Sequence, residues 1–225
     1  MLIPHLMFAH MLADYVLQSN WLVARKSESW AGLIIHGGIV GFVSLMAISP
    51  YLSAVWFPLL MLMILHTFQD YLKVYFSPRL NIHPFGPYMA DQFIHYAVIG
   101  GFQLWIGERV VPKPPPTEIA FMWVGAAVIA VTRFYDITWW ANWLDMIPYL
   151  NRWRQFAYAE RLSMLALSAA GLWYIAPLCL VPRLAYAKYT ARPIWRQRRS
   201  ALEMGMGAVL SITLGIGLHA VLAQI

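Results

Sequence analysis

The sequence predicts an all-α, polytopic membrane protein of about seven helices, and three observations carry that reading. Of its 225 residues, 60% are hydrophobic and only 12% are charged, where a typical soluble protein carries about 25% charged residues. Apolar stretches of about 20 residues recur along the chain, each long enough to cross roughly 30 Å of hydrocarbon at 1.5 Å per helical residue. The single cysteine, Cys179, excludes an intramolecular disulfide framework and any cysteine-based zinc or iron–sulfur centre, so a metal would have to be held by His and carboxylate.

The first span is expected over residues 2–24. It lacks the leading basic residues and small-residue cleavage site of a signal peptide, so it reads as a mature helix that ends where Arg25 and Lys26 snorkel to the interface. The second runs over 30–49 and is stopped by Pro50. The third covers 52–76 and is closed by Ser77-Pro78 and the turn-rich 81–87. The fourth starts near Pro87, a good first-turn residue, and reaches 111.

The run Pro112-Lys113-Pro114-Pro115-Pro116 cannot be helical and reads as a stiff linker over 112–117, dividing a four-helix half, 1–111, from a three-helix half, 118–225. In that second half a span is expected over 118–134. An aromatic segment over 136–155, with Trp139, Trp140, Trp143 and Trp153, is expected to lie along the interface. Two further spans are expected over 161–181 and from 201 to the C-terminus, separated by a basic loop over 183–199. Eight Lys plus Arg fall on each side of a seven-span arrangement, so the positive-inside rule gives no orientation. The row Arg192, Arg196, Arg198 and Arg199 is expected to contact anionic lipid headgroups rather than nucleic acid.

The chemistry is expected where charge should not be. An ionisable group at membrane depth costs at least about 2.5–3.5 kcal/mol and is kept for a partner or a function. The first four spans carry seven: His10, Asp14, His36, His66, Asp70, Asp91 and His95. His10 with Asp14, His66 with Asp70, and Asp91 with His95 are each four residues apart and so share a helix face. With five Asp and seven His in the chain, three such pairs would arise by chance about 0.2% of the time. Measured from one membrane side, six of the seven lie between roughly 6 and 15 Å deep and His10 at about 21 Å. That convergence predicts a polar pocket inside a four-helix bundle, open to one face.

Imidazole and carboxylate suit Zn, Mn or Fe, and seven ligands suggest two divalent ions. Helical bundles build such dinuclear sites from residues one turn apart. Gln18, Gln69 and Gln92 lie beside the ligands and are expected to support them or touch substrate. Glu160 and Arg161 are a weaker candidate for substrate or headgroup contact, with Arg133 and Asp136 near the same mouth. His5 reads as interfacial, His83 as a turn residue and His219 as solitary. Glu203 reads as a helix N-terminal acid.

The run His10-Met-Leu-Ala-Asp14-Tyr-Val-Leu-Gln18, then Trp21, Lys26, Gly32-Leu33, His36, His66-x3-Asp70 and Asp91-Gln92-x2-His95, resembles the bacterial membrane family catalogued as domain-of-unknown-function 3307. The likeness covers residues 5–96 and continues more loosely through Glu160-Arg161 and 203–211. It implies a multi-pass protein of the bacterial inner membrane. The ordered motifs also resemble those of membrane-bound metal-dependent hydrolases and, as an analogy of motif style, all-helical zinc phospholipases. The triple proline and basic loop depart from the family pattern.

The resulting expectation is a membrane-embedded, metal-dependent hydrolase of a phosphoester or ester in a lipid or amphiphile, with Asp14 or Asp91 as general base. A proton- or ion-coupled transporter and a non-catalytic metal-binding subunit are the alternatives. A homo-oligomer and a larger membrane complex are both open.

Overall fold

The computed structural model describes residues 1–80, 82–107, 113–138, 147–189 and 198–224, with only the backbone of 147–153, 187–189 and 198–200. Among the described residues there are nine α-helices and no strand. Four of the described helical segments are long and apolar enough to cross a membrane: Trp30–Ala47, Ser49–Arg79, Pro116–Thr138 and Ala201–Leu222. The protein is therefore an all-helical membrane protein. The chain divides into two compact units, Met1–Ala126 and Ala127–Ile225.

The first unit begins with α1, Ile3–Leu12, which widens into a π-helical turn, Ala13–Leu17, before Gln18 leaves in an extended conformation. Ser19 then caps α2, Asn20–Glu28, its hydroxyl accepting from the Leu22 amide at 3.3 Å. The single helix expected over 2–24 is thus two helices. Its continuous apolar composition conceals the cap, which gives the backbone a new start. A second serine cap, Ser29 to the Gly32 amide at 3.3 Å, opens α3, Trp30–Ala47.

Pro50 sits in the short 3₁₀ turn Ser49–Tyr51 that ends this segment, and α4, Leu52–Phe76, follows. Helix α5, Phe85–Ile106, closes at Gly107, whose φ of 53° lies in the left-handed region that favours glycine. Position 111, the expected end of this span, falls outside the described residues. Residues 113–115 are non-helical, and α6, Pro116–Ile129, starts on proline.

Helix α1 packs on α3 and α5, α3 on α4, and α4 on α5. Leu2, Leu6, Ile48, Val55, Ile99 and Phe102 form an apolar plug at the end shared by the start of α1 and the ends of α3 and α5. His5 is fully buried at this end, its Nε2 2.6 Å from Glu118 Oε1, and Tyr51 donates to the other Glu118 oxygen at 3.1 Å. The interfacial placement expected for His5 is corrected, because α6 brings it a carboxylate from far along the chain.

In the second unit α6 passes into another π-helical stretch, Ala130–Phe134. Helix α7, Ile147–Ala169, packs against α9, Arg198–Leu222, and the short α8, Val181–Tyr189, lies between them in the chain. A span over 161–181 is not observed. The helix begins well before Glu160 and ends at Ala169, just ahead of Gly171, φ 82°, after which Pro177 sits in a 3₁₀ turn. The charged pair is interior to the helix because its charges are neutralised there. Arg161 donates to Asp136 at 2.9 Å, and Arg183 bridges Glu160 and Glu203 at 3.1 and 2.9 Å.

Glu203 is consequently one end of a buried ion pair rather than a free N-terminal acid, and its carbonyl accepts from Tyr135. His219 is not solitary either: its Nδ1 lies 3.0 Å from the Ala169 carbonyl. Trp139, Trp140, Trp143, Arg192 and Arg196 lie outside the described residues. Arg198 and Arg199 open α9, and the side chain of Trp153 is likewise not described.

Candidate metal centre

Helix periodicity places the seven expected residues. On α1 and its π-helical turn, His10 and Asp14 face inward. On α3 His36 follows Leu33 and precedes Val40, all buried. On α4, His66, Asp70 and Lys73 follow at i, i+4 and i+7, and on α5 Asp91 and His95 make the last pair. All seven are buried, and they form three overlapping donor trios: His10, Asp14, His66; His36, His66, Asp70; and Asp70, Asp91, His95. Within each trio the donor atoms lie within 4.8 Å of one another.

The end of this helical run at Leu17, where the π-helical turn stops, brings His10 into this group. Relative to an end at Ala24, seven residues are removed, about 10 Å of helix, which moves His10 to the level of His66 and His95. Its ring centroid is 5.5 Å from that of His66 and 5.1 Å from that of His95.

The centre of the cluster is His36, whose residue exposure is 0%. Its Nε2 is 3.3 Å from Asp14 Oδ1, 3.3 Å from Asp70 Oδ2 and 3.3 Å from His66 Nε2. His66 Nε2 is in turn 3.9 Å from each of the same two carboxylate oxygens. An imidazole nitrogen has either one hydrogen or one lone pair, so it can hydrogen-bond with only one of these three neighbours. Donors bound at 2.0–2.1 Å to a tetrahedral ion lie about 3.3–3.4 Å apart. The spacing around His36 fits a shared cation better than it fits a hydrogen-bond network.

Unmatched polar atoms point the same way. His10 Nε2, Asp14 Oδ1, His36 Nδ1, Gln69 Oε1 and His95 Nε2 are buried without a hydrogen-bond partner, an arrangement that costs about 1–3 kcal/mol per group if left unfilled. His10, His66, Gln69 and His95 also line a cavity of about 20 Å³ walled by Leu6 and Ile99. That is room for about one water.

Two lysines missing from the expected set complete the cluster. Lys26, 8% exposed, donates to Asp70 Oδ2 at 2.8 Å and to Gln18 at 3.0 Å. Lys73 donates to Asp91 Oδ2 at 2.7 Å. The interfacial role expected of Lys26 is therefore corrected, while its neighbour Arg25 is exposed and pairs with Glu28. Lys73 was detectable from its i+7 spacing to His66. Lys26 required knowledge of the break at Ser19.

All three expected amides contact or adjoin the cluster. Gln18 accepts from Lys26, Gln69 lines the small cavity, and Gln92 donates to Asp91 at 3.0 Å while accepting from Tyr15. Tyr88 donates on to Tyr15 at 3.4 Å. Glu160 and Arg161 have their ion-pair partners, Arg183 and Asp136, within the second unit, where Tyr158 also donates to Asp136 at 2.8 Å.

The fold and this cluster define a class: a helical membrane protein whose N-terminal unit encloses imidazoles, carboxylates and lysines at helix-packing depth. The comparison with protein families is more particular. Residues 2–108 match the family described as Protein of unknown function (DUF3307), so this region of the chain is similar to that family. No curated protein and no solved structure matches the chain.

Proposed function

We propose that this is a multi-pass protein of the bacterial inner membrane whose N-terminal cluster holds a divalent ion, Zn, Mn or Fe, and hydrolyses an ester or phosphoester of a lipid or other amphiphile. The observation that carries the reading is the position of His36 Nε2 on α3, 3.3 Å from Asp14 Oδ1 on the π-helical turn and from Asp70 Oδ2 and His66 Nε2 on α4, so that three helical segments meet at one point. Asp14, His36, His66 and Asp70 are the ligand set.

With the imidazoles counted as neutral, charge favours one ion. Asp14, Asp70 and Asp91 contribute three negative charges, and Lys26 and Lys73 return two. One divalent ion leaves the buried cluster at +1, whereas two, the number suggested by counting ligands, would leave +3. Single positive excess is readily offset by an anionic substrate or hydroxide, and a larger one is costly at low dielectric. One ion is the proposal.

A divalent ion held there would make water acidic enough to ionise near neutral pH and would polarise the leaving oxygen. The chain's own groups supply the rest. Asp91, already engaged by Lys73 and Gln92, positions His95. Asp14, which meets imidazoles but no lysine or amide among the described residues, would bind the ion through one carboxylate oxygen and leave the other to take the proton as general base. His10, Gln69 and His95 hold the water-sized cavity beside it. The apolar plug closes the opposite end of the unit, which favours a one-sided reaction chamber over a transport path.

Elemental analysis of the purified protein tests this directly. The expected result is close to one Zn, Mn or Fe per chain, lost in His36→Ala and Asp70→Asn, with hydrolysis of a phosphoester amphiphile lost in parallel. Wild-type protein that takes up no ion after loading with Zn or Mn refutes it, as does His36→Ala protein that retains a full complement.

A further inference from the structure

Outside the cluster, the first unit carries an apolar groove of about 440 Å³ along the seam of α3 and α4. Its volume lies within the usual range of ligand pockets, about 300–1,000 Å³. We infer that it binds one acyl chain of a bilayer phospholipid and so aligns the ester end with the His/Asp cluster; the alignment rests on the hydrolase reading above, the groove itself does not.

The sequence makes the groove by omission. Trp30, Ile34 and Gly38 recur at helical spacing on α3 and face Leu60, Ile64 and Phe68 on α4. Gly37 touches the opposite helix so closely that a Cβ there would strike the Thr67 hydroxyl. A Cβ at Gly38 would meet nothing within 4 Å. The first glycine draws the helices together and the second leaves the space beside them open.

Three features identify the occupant. Both helices belong to segments long and apolar enough to span a bilayer, and the large apolar side chains along the seam are outward-facing, so the medium outside the groove is hydrocarbon. One end of the groove is a stacked aromatic pair, Trp30 and Tyr71, with centroids 4.5 Å apart. Such rings favour the level of lipid headgroups, and Tyr71 adjoins Asp70 in the chain. Finally, Met63 borders both the groove and the small cavity lined by His10, His66 and His95. The groove therefore joins the reaction chamber across one flexible thioether side chain. Because lipid tails are as apolar as leucine, retention of a chain draws on shape and packing rather than on the hydrophobic effect.

The test uses the full chain in phosphatidylglycerol vesicles containing a small fraction of phosphatidylglycerol with a mid-chain diazirine. Irradiation and peptide mass spectrometry map the adducts. Adducts are expected to concentrate on Ile34, Leu60, Ile64 and Phe68 in preference to Phe93 and Leu104, which are more exposed at 74% and 85%. Gly38→Leu, which fills the open space, should lower the groove adducts about tenfold, equivalent to roughly 1.4 kcal/mol of occupancy, and leave those on Phe93 and Leu104 unchanged. Adducts distributed in proportion to exposure, or groove adducts unaffected by Gly38→Leu, overturn the proposal. Metal content is read on the same samples. Its absence removes the hydrolase reading and leaves the adduct map to decide the groove alone.

Discussion

Replacing Lys26 by Met removes a cation from a nearly closed environment while keeping the length of its stem. The Lys26 and Asp70 side chains are 10% and 3% exposed, with their charged atoms 2.8 Å apart. Solvent is poorly placed to replace the lost charge, and the net charge of the cluster falls from −1 to −2. Breaking a buried pair on one side costs about 3–5 kcal/mol. At roughly 2–4 °C per kcal/mol for a chain of this size, the melting temperature should fall by roughly 6–20 °C. Unfolding followed by tryptophan fluorescence in detergent, with chelator present, measures the change. Asp70→Asn in the Lys26→Met background should restore most of the loss, since neither member of this pair is then charged. Zn or Mn should also restore part of it in the single variant by supplying positive charge to Asp70. A Lys26→Met protein within about 1 kcal/mol of wild type, or a double variant no more stable than the single one, would refute the charge bookkeeping on which the single-ion assignment depends.

Two other substitutions test the surroundings. Gln92→Leu removes the amide that orients Asp91 and receives Tyr15; since neither belongs to the ligand set, the ion should be retained by elemental analysis while phosphoester hydrolysis falls about 10–100-fold. Arg183→Met strands Glu160 and Glu203 in the second unit and should cost about 3–5 kcal/mol in the same thermal assay. Glu160→Gln combined with Glu203→Gln in that background should recover most of it.

The sequence was most informative where local periodicity governs the outcome. The i, i+4 pairs place His66 with Asp70 and Asp91 with His95 because each pair depends on one unbroken helix. Likewise, α4 occupies the expected 52–76, bounded by proline-containing turns on both sides. Local patterning was weaker where a distant residue determines the result. His5 is buried because Glu118 meets it from another helix, and Glu160 and Arg161 can sit inside α7 because Asp136 and Arg183 neutralise them. A hydropathy profile sees only their charge and puts a boundary there. Lys26 was misread for the complementary reason: the Ser19 cap, hidden in an apolar stretch, starts a new helix that turns this lysine inward toward Asp70.

The π-helical turn Ala13–Leu17 contains both Asp14, which faces His36, and Tyr15, which reaches Gln92. Neighbours in sequence serve two different inward contacts because this turn holds one residue more than its α-helical counterpart. What must be preserved here is accordingly a count of residues as much as their identity. A single deletion between Ala13 and Leu17 would change the rotational phase of the chain leading to Ser19, uncoupling the anion at Asp14 from the cation that α2 delivers, even with every functional side chain still present.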